Sequence, residues 1–137
     1  MSPFLQRVLY LLVLALLGTG LLDLWSDWQL AQDATRLPPD RTASNRMLHG
    51  IAAYALMFVA GIVAVLHVAP RWRLSRQRKS GLMLAALLVA LAVSELALYY
   101  AGSERLRNVS DAVHWLAGLA LPLLLAVHVT LAARRDG

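Results

Sequence analysis

Four histidines are the residues of this chain whose type and spacing could do chemistry: His49, His67, His114 and His128. All lie in two long apolar runs, residues 47–69 and 112–133, two in each run. In the first run they stand 18 residues apart, in the second 14. At about 100° per residue, the first pair returns to one helix face after five turns, and the second comes within about 40° after four. Each run therefore offers two imidazoles on one face at two heights. Histidine is rare inside a membrane span and faces the protein interior when present. A neutral imidazole is a good iron ligand, and two imidazoles on one porphyrin iron leave no open position for substrate. Such a centre passes one electron at a time. The spacing predicts two of them, His49 with His114 and His67 with His128, and hence two haem b groups.

The rest of the chain must hold those histidines at their heights. Of its 137 residues 59% are apolar, and the mean hydropathy is +0.59. These values belong to a membrane protein, here a single transmembrane domain over residues 1–137. The chain has no cysteine. That removes disulfides, Fe–S clusters, thiolate metal sites and covalent c-type haem. The net charge of +5 comes from basic residues beside apolar spans. Lipid headgroups and topology account for them, with no call for nucleic acid. Gly-rich phosphate loops, nucleophile elbows and HExxH motifs are missing from the sequence.

Four helices are predicted, at about 5–25, 47–69, 81–101 and 112–133. The first suits a membrane helix ending at Trp25, although a cleaved secretory signal is a second reading of the same run. Residues 25–32 predict a short interfacial helix, Pro38 and Pro39 a turn, and Asn45 the N-cap of the second span. That span should stop at Pro70, ahead of Arg71, Arg73, Arg76, Arg78 and Lys79. Ser110 and Asp111 are expected to cap the fourth span, and Pro122 to kink it. No internal repeat is visible. Counting basic residues by side puts eight inside and five outside, so both termini are expected in the cytoplasm. The expected architecture is an all-α, up-down-up-down four-helix bundle in a bacterial inner membrane. The second and fourth spans then run in the same direction. His49 and His114 come near the outer surface, His67 and His128 near the inner one. The rise between histidines is about 27 Å in one span and about 21 Å in the other, a mismatch for tilt or Pro122 to absorb.

Small residues beside the ligands, Gly50 and Gly118 first among them, would let a flat ring approach the backbone. They also serve ordinary packing of membrane helices. Haem propionates call for cations, Arg46 (with Arg105 and Arg107) outside and Arg71 (with Arg73) inside. Glu95, within the third span, could take a proton from a quinol, or else reach the interface or pair with Arg105 or Arg46.

The local motifs are L-H-G at 48–50, L-H-V at 66–68, V-H-W at 113–115 and V-H-V at 127–129. With these the chain resembles the four-helix di-haem cytochrome b family, both the haem-bearing half of respiratory cytochrome b and small bacterial membrane b-type cytochromes. The resemblance implies transmembrane electron transfer with a quinone or a redox partner subunit. Two other readings stay open. One is a stand-alone quinol-dependent oxidoreductase using Glu95. The other is a haem-free membrane scaffold or assembly protein with its histidines in hydrogen bonds.

Overall fold

The computed structural model describes residues 2–33, 35, 41–71 and 78–136, with the backbone alone at 71, 78 and 133–136. Every regular element among them is helical. The turn at Pro38 and Pro39 lies outside the described residues, as do Arg36, Arg73 and Arg76. The side chains of Arg71, Arg78, Arg134 and Arg135 lie outside them too.

Helix α1 runs Pro3–Gln32. Ser2 caps it by accepting the Leu5 N–H at 3.3 Å, and Pro3 sits where a missing N–H costs nothing. The helix does not stop at Trp25. Residues 25–32, expected as a separate interfacial helix, continue α1, because neither Gly nor Pro interrupts the run after Gly20. Trp25 and Trp28 stack one turn apart, ring centroids 5.1 Å from each other. At 30 residues α1 is about 45 Å long, more than the roughly 30 Å of a hydrocarbon core, so its polar end extends beyond one.

Helix α2 runs Arg41–Val63, starting ahead of the expected boundary. Asn45 therefore lies inside the helix and is not its cap; its side-chain amide donates to the Thr19 carbonyl at 2.9 Å. A π-helical turn, Ala64–Val68, follows and contains His67. The single turn α3, Ala69–Arg71, carries the rod past Pro70, where the span was expected to end. The two irregularities are linked. Pro70 has no N–H to give, and its ring crowds the carbonyl one turn back, at Leu66. A widened turn directly before it would relieve that crowding.

Helix α4 runs Arg78–Tyr100 and α5 Glu104–Asp136. The cap of α5 is Ser103, whose hydroxyl accepts the Leu106 N–H at 3.3 Å and whose carbonyl accepts the Arg107 N–H at 3.1 Å. Ser110 and Asp111, expected as caps, fall two turns into the helix, and Ser110 is buried. The polar stretch 104–111 contains no Gly or Pro, and Glu104 suits the positive end of the helix dipole. The helix continues without a break past Pro122.

The chain divides into two compact units, Met1–Pro70 and Arg71–Gly137, each an antiparallel helical hairpin. In the first, Val13 of α1 and Leu56 and Val59 of α2 are buried; in the second, Ala117 and Leu121 of α5 are. Most large apolar side chains remain exposed, Phe4, Tyr54 and Phe58 among them. All four long helices are apolar and long enough to cross a membrane. Lipid is the solvent that such an exterior suits, and the protein is a multi-pass membrane protein.

Candidate functional site

The second hairpin shows the arrangement most fully. His114 and His128 are both half-buried on α5, and Ala117 and Leu121 are buried on the stretch between them. On α4, Ser80 and Ser94 stand 14 residues apart, the same step as the two histidines. Because the helices are antiparallel, equal steps bring matching levels together. Ser94 Oγ lies 3.0 Å from His114 Nδ1, and Ser80 Oγ lies 2.8 Å from His128 Nδ1. Gly81 lies beside the His128 ring; a Cβ there would meet Cε1 at 3.9 Å.

The first hairpin repeats one of these rungs. Thr19 Oγ1 of α1 lies 2.7 Å from His49 Nδ1 of α2. Gly20 follows directly, and a Cβ on it would come within 3.4 Å of His49 Cε1. His67 is half-buried, as are Ala53, Ala60 and Val63, with Leu56 buried among them. His49 and His67 are thus both half-buried on the α2 rod, with the π turn lying between Val63 and Ala69.

The hydroxyls have a second set of bonds. Thr19 Oγ1 donates to the Ala15 carbonyl at 2.8 Å, with the Leu16 carbonyl at 3.2 Å. Ser94 Oγ donates to the Leu91 carbonyl at 3.0 Å. A hydroxyl has one proton and two lone pairs. A hydroxyl with its proton on the backbone carbonyl has only a lone pair left for the imidazole.

Glu95 is beside His114, its Oε2 at 3.5 Å from Nε2, and not with Arg105 or Arg46. Arg46 lies with Asp27 at 3.1 Å and Asp23 at 3.8 Å. Arg105 and Arg107 are exposed. A Cβ at Gly50 would meet nothing within 4 Å, and one at Gly118 would meet Leu91 Cδ2 at 3.9 Å. The pairs His49 with His114 and His67 with His128 each take one member from each hairpin. Among the described residues no three His, Asp or Glu side chains form a group that could hold a metal ion by themselves.

Sequence reasoning passed over Thr19, Ser80, Ser94 and Gly81, and it did not join Gly20 to a histidine. A signal exists for all but Ser94, which Glu95 follows: hydroxyl–glycine steps, T-G at 19–20 and S-G at 80–81, stand in or at the edge of apolar spans. It also missed the repeat. Each hairpin pairs a hydroxyl on its first helix with a histidine early in its second, which differing residues and unequal histidine spacings conceal.

Comparison with known proteins gives no matching family model, no matching curated protein and no matching solved structure.

Proposed function

We propose that the chain is a transmembrane electron-transfer protein with two bis-histidine b-type haems, one held by His49 and His114, the other by His67 and His128. It would act as an electron-transfer subunit or carrier for a quinone pool or a redox partner subunit. Its place would be a bacterial inner membrane, with both termini in the cytoplasm. One observation carries this reading: two hairpins of unlike sequence each carry two half-buried imidazoles at two levels of one helical rod.

The residues fit the group. Nδ1 of His49, His114 and His128 is held by a neighbouring hydroxyl, so Nε2 is the nitrogen to offer a metal. Gly20 and Gly81 leave room for the rings of His49 and His128. Haem bound to such pairs supplies a one-electron iron couple with both axial positions filled. The chain positions the imidazoles, excludes water through its apolar helices, and would offer Gly50 and Gly118 as clearance. Arg46 would face a propionate through the edge of its pair with Asp27; the side chain of Arg71, the other expected propionate partner, lies outside the described residues. Glu95 must leave His114 Nε2 before that nitrogen can ligate.

The test is haem stoichiometry and the reduced-minus-oxidised spectrum of the purified chain. Two haems per chain are expected, with one lost in His114→Ala and one in His67→Ala. A preparation from haem-replete cells that carries none would sink the proposal.

The Glu95–His114 contact favours a second reading, a stand-alone quinol oxidoreductase. A carboxylate and an imidazole 3.5 Å apart could together accept a quinol hydroxyl proton. In that case Glu95→Gln slows quinol-driven haem reduction with haem content unchanged.

A further inference from the structure

We infer that Thr19 and Ser94 are positioning residues that select the ligand nitrogen of His49 and His114. The inference rests on the haem reading for its purpose, but its physical content stands apart from it. Each hydroxyl is bonded twice. It gives its proton to a carbonyl of its own helix, Ala15 for Thr19 and Leu91 for Ser94. Its remaining capacity toward the histidine is a lone pair, at 2.7 Å for His49 and 3.0 Å for His114. Two acceptors cannot share a bond, so Nδ1 must carry the hydrogen. In a neutral imidazole that places the lone pair on Nε2, the nitrogen a metal would take; at His114 this holds only with Glu95 Oε2, itself an acceptor 3.5 Å from Nε2, turned away.

The carbonyl bond is therefore what makes the hydroxyl directional. A hydroxyl free to rotate would accept from one tautomer and donate to the other, and so would select neither. Inside a helix, threonine and serine can reach the carbonyl three or four residues back, at a slight cost to the helix. Both bonds thus come from helical geometry plus one cross-helix approach. The N–H···O bond also raises the basicity of the ligating imidazole and fixes its ring plane. Ser80 makes the matching contact with His128 at the other level of the second hairpin. The position after each hydroxyl sets what else the ring meets. It is Gly20 against His49 and Gly81 against His128, where no side chain intrudes, but Glu95 against His114. His49 has no carboxylate following its hydroxyl partner, so the effect is read there.

The experiment compares the full chain with Thr19→Val, which keeps shape and removes the acceptor, and with Thr19→Ser, which restores it. Histidine 15N chemical shifts of haem-free protein in detergent report the tautomer. Haemin titration, ferric low-spin g values and the midpoint potential report the ligand. Wild type and Thr19→Ser should show His49 protonated at Nδ1, and Thr19→Val a mixture of tautomers. Thr19→Val should bind haemin about tenfold to a hundredfold more weakly, with a raised midpoint potential, and Thr19→Ser should recover both. Ser94→Ala should act alike at His114 once Glu95→Ala has removed the carboxylate at Nε2. If Thr19→Val keeps the wild-type tautomer, affinity, g values and potential, the inference is overturned while the haem reading survives. If no variant binds haemin but the tautomer shift is seen, the inference stands and the haem reading falls.

Discussion

The imidazoles of His49, His114 and His128 each end on a hydroxyl from the adjacent helix, and in a membrane that contact has weight. A buried polar atom stripped of its partner costs roughly 1–3 kcal/mol in a soluble protein, and hydrogen bonds between membrane helices measure at the lower end of that range. Ser80→Ala, which orphans His128 Nδ1, should lower unfolding stability in mild detergent by about 1 kcal/mol. Ser80→Thr should not. Space around the rings makes a second comparison. A valine at Gly20 would drive its branches into the His49 ring, since even a Cβ comes within 3.4 Å of it. A Cβ at Gly50 meets nothing within 4 Å. Gly20→Val should therefore disturb both the fold and haem content. Gly50→Val should leave helicity and melting unchanged and lower haem content alone; unchanged haem content would remove Gly50 from the clearance set. Arg46 is more than half exposed, so its pairs with Asp27 and Asp23 are worth little. Arg46→Ala should cost under about 1 kcal/mol.

Among the elements, the rod made of α2, the π turn and α3 is the irregular one. A π turn commonly marks a functional position, and this one contains His67. The N–H of Ala69 reaches back to the Ala64 carbonyl, one residue further than in an α-helix. If Pro70 holds the turn open, Pro70→Ala should let residues 64–68 relax to regular α geometry and swing His67 round the helix axis. The expected result is loss or alteration of the haem signal assigned to His67 and His128, with the His49 signal intact. An unchanged spectrum would mean that packing, not Pro70, maintains the π turn. In the second hairpin, by contrast, equal steps of 14 residues on both helices match level for level and need no such adjustment.

For the whole molecule the question is how the two hairpins cross the membrane. The absence of cysteine makes it easy to address. With both termini inside, Thr35→Cys and Gly102→Cys should react with an impermeant maleimide in intact cells, and Gly137→Cys only after permeabilisation. The opposite pattern would reverse the orientation that the basic residues imply. Much of the architecture is legible without coordinates. Four spans, their all-helical character and the helical faces of the histidines follow from apolar length and the 3.6-residue period, which neighbours in the chain establish by themselves. Element ends were less legible. Asn45, Ser110 and Asp111 looked like caps because polar residues preceded apolar runs, yet polar helix formers such as residues 104–111 extend a helix wherever nothing breaks it. Least legible were the partners. Thr19 meets His49 from 30 residues away, and Ser80 meets His128 from 48. The order of residues alone determined where imidazoles stand along each helix. Which hydroxyl His49, His114 and His128 each meet was decided only by antiparallel helices closing against each other, because that choice depends on register between distant segments.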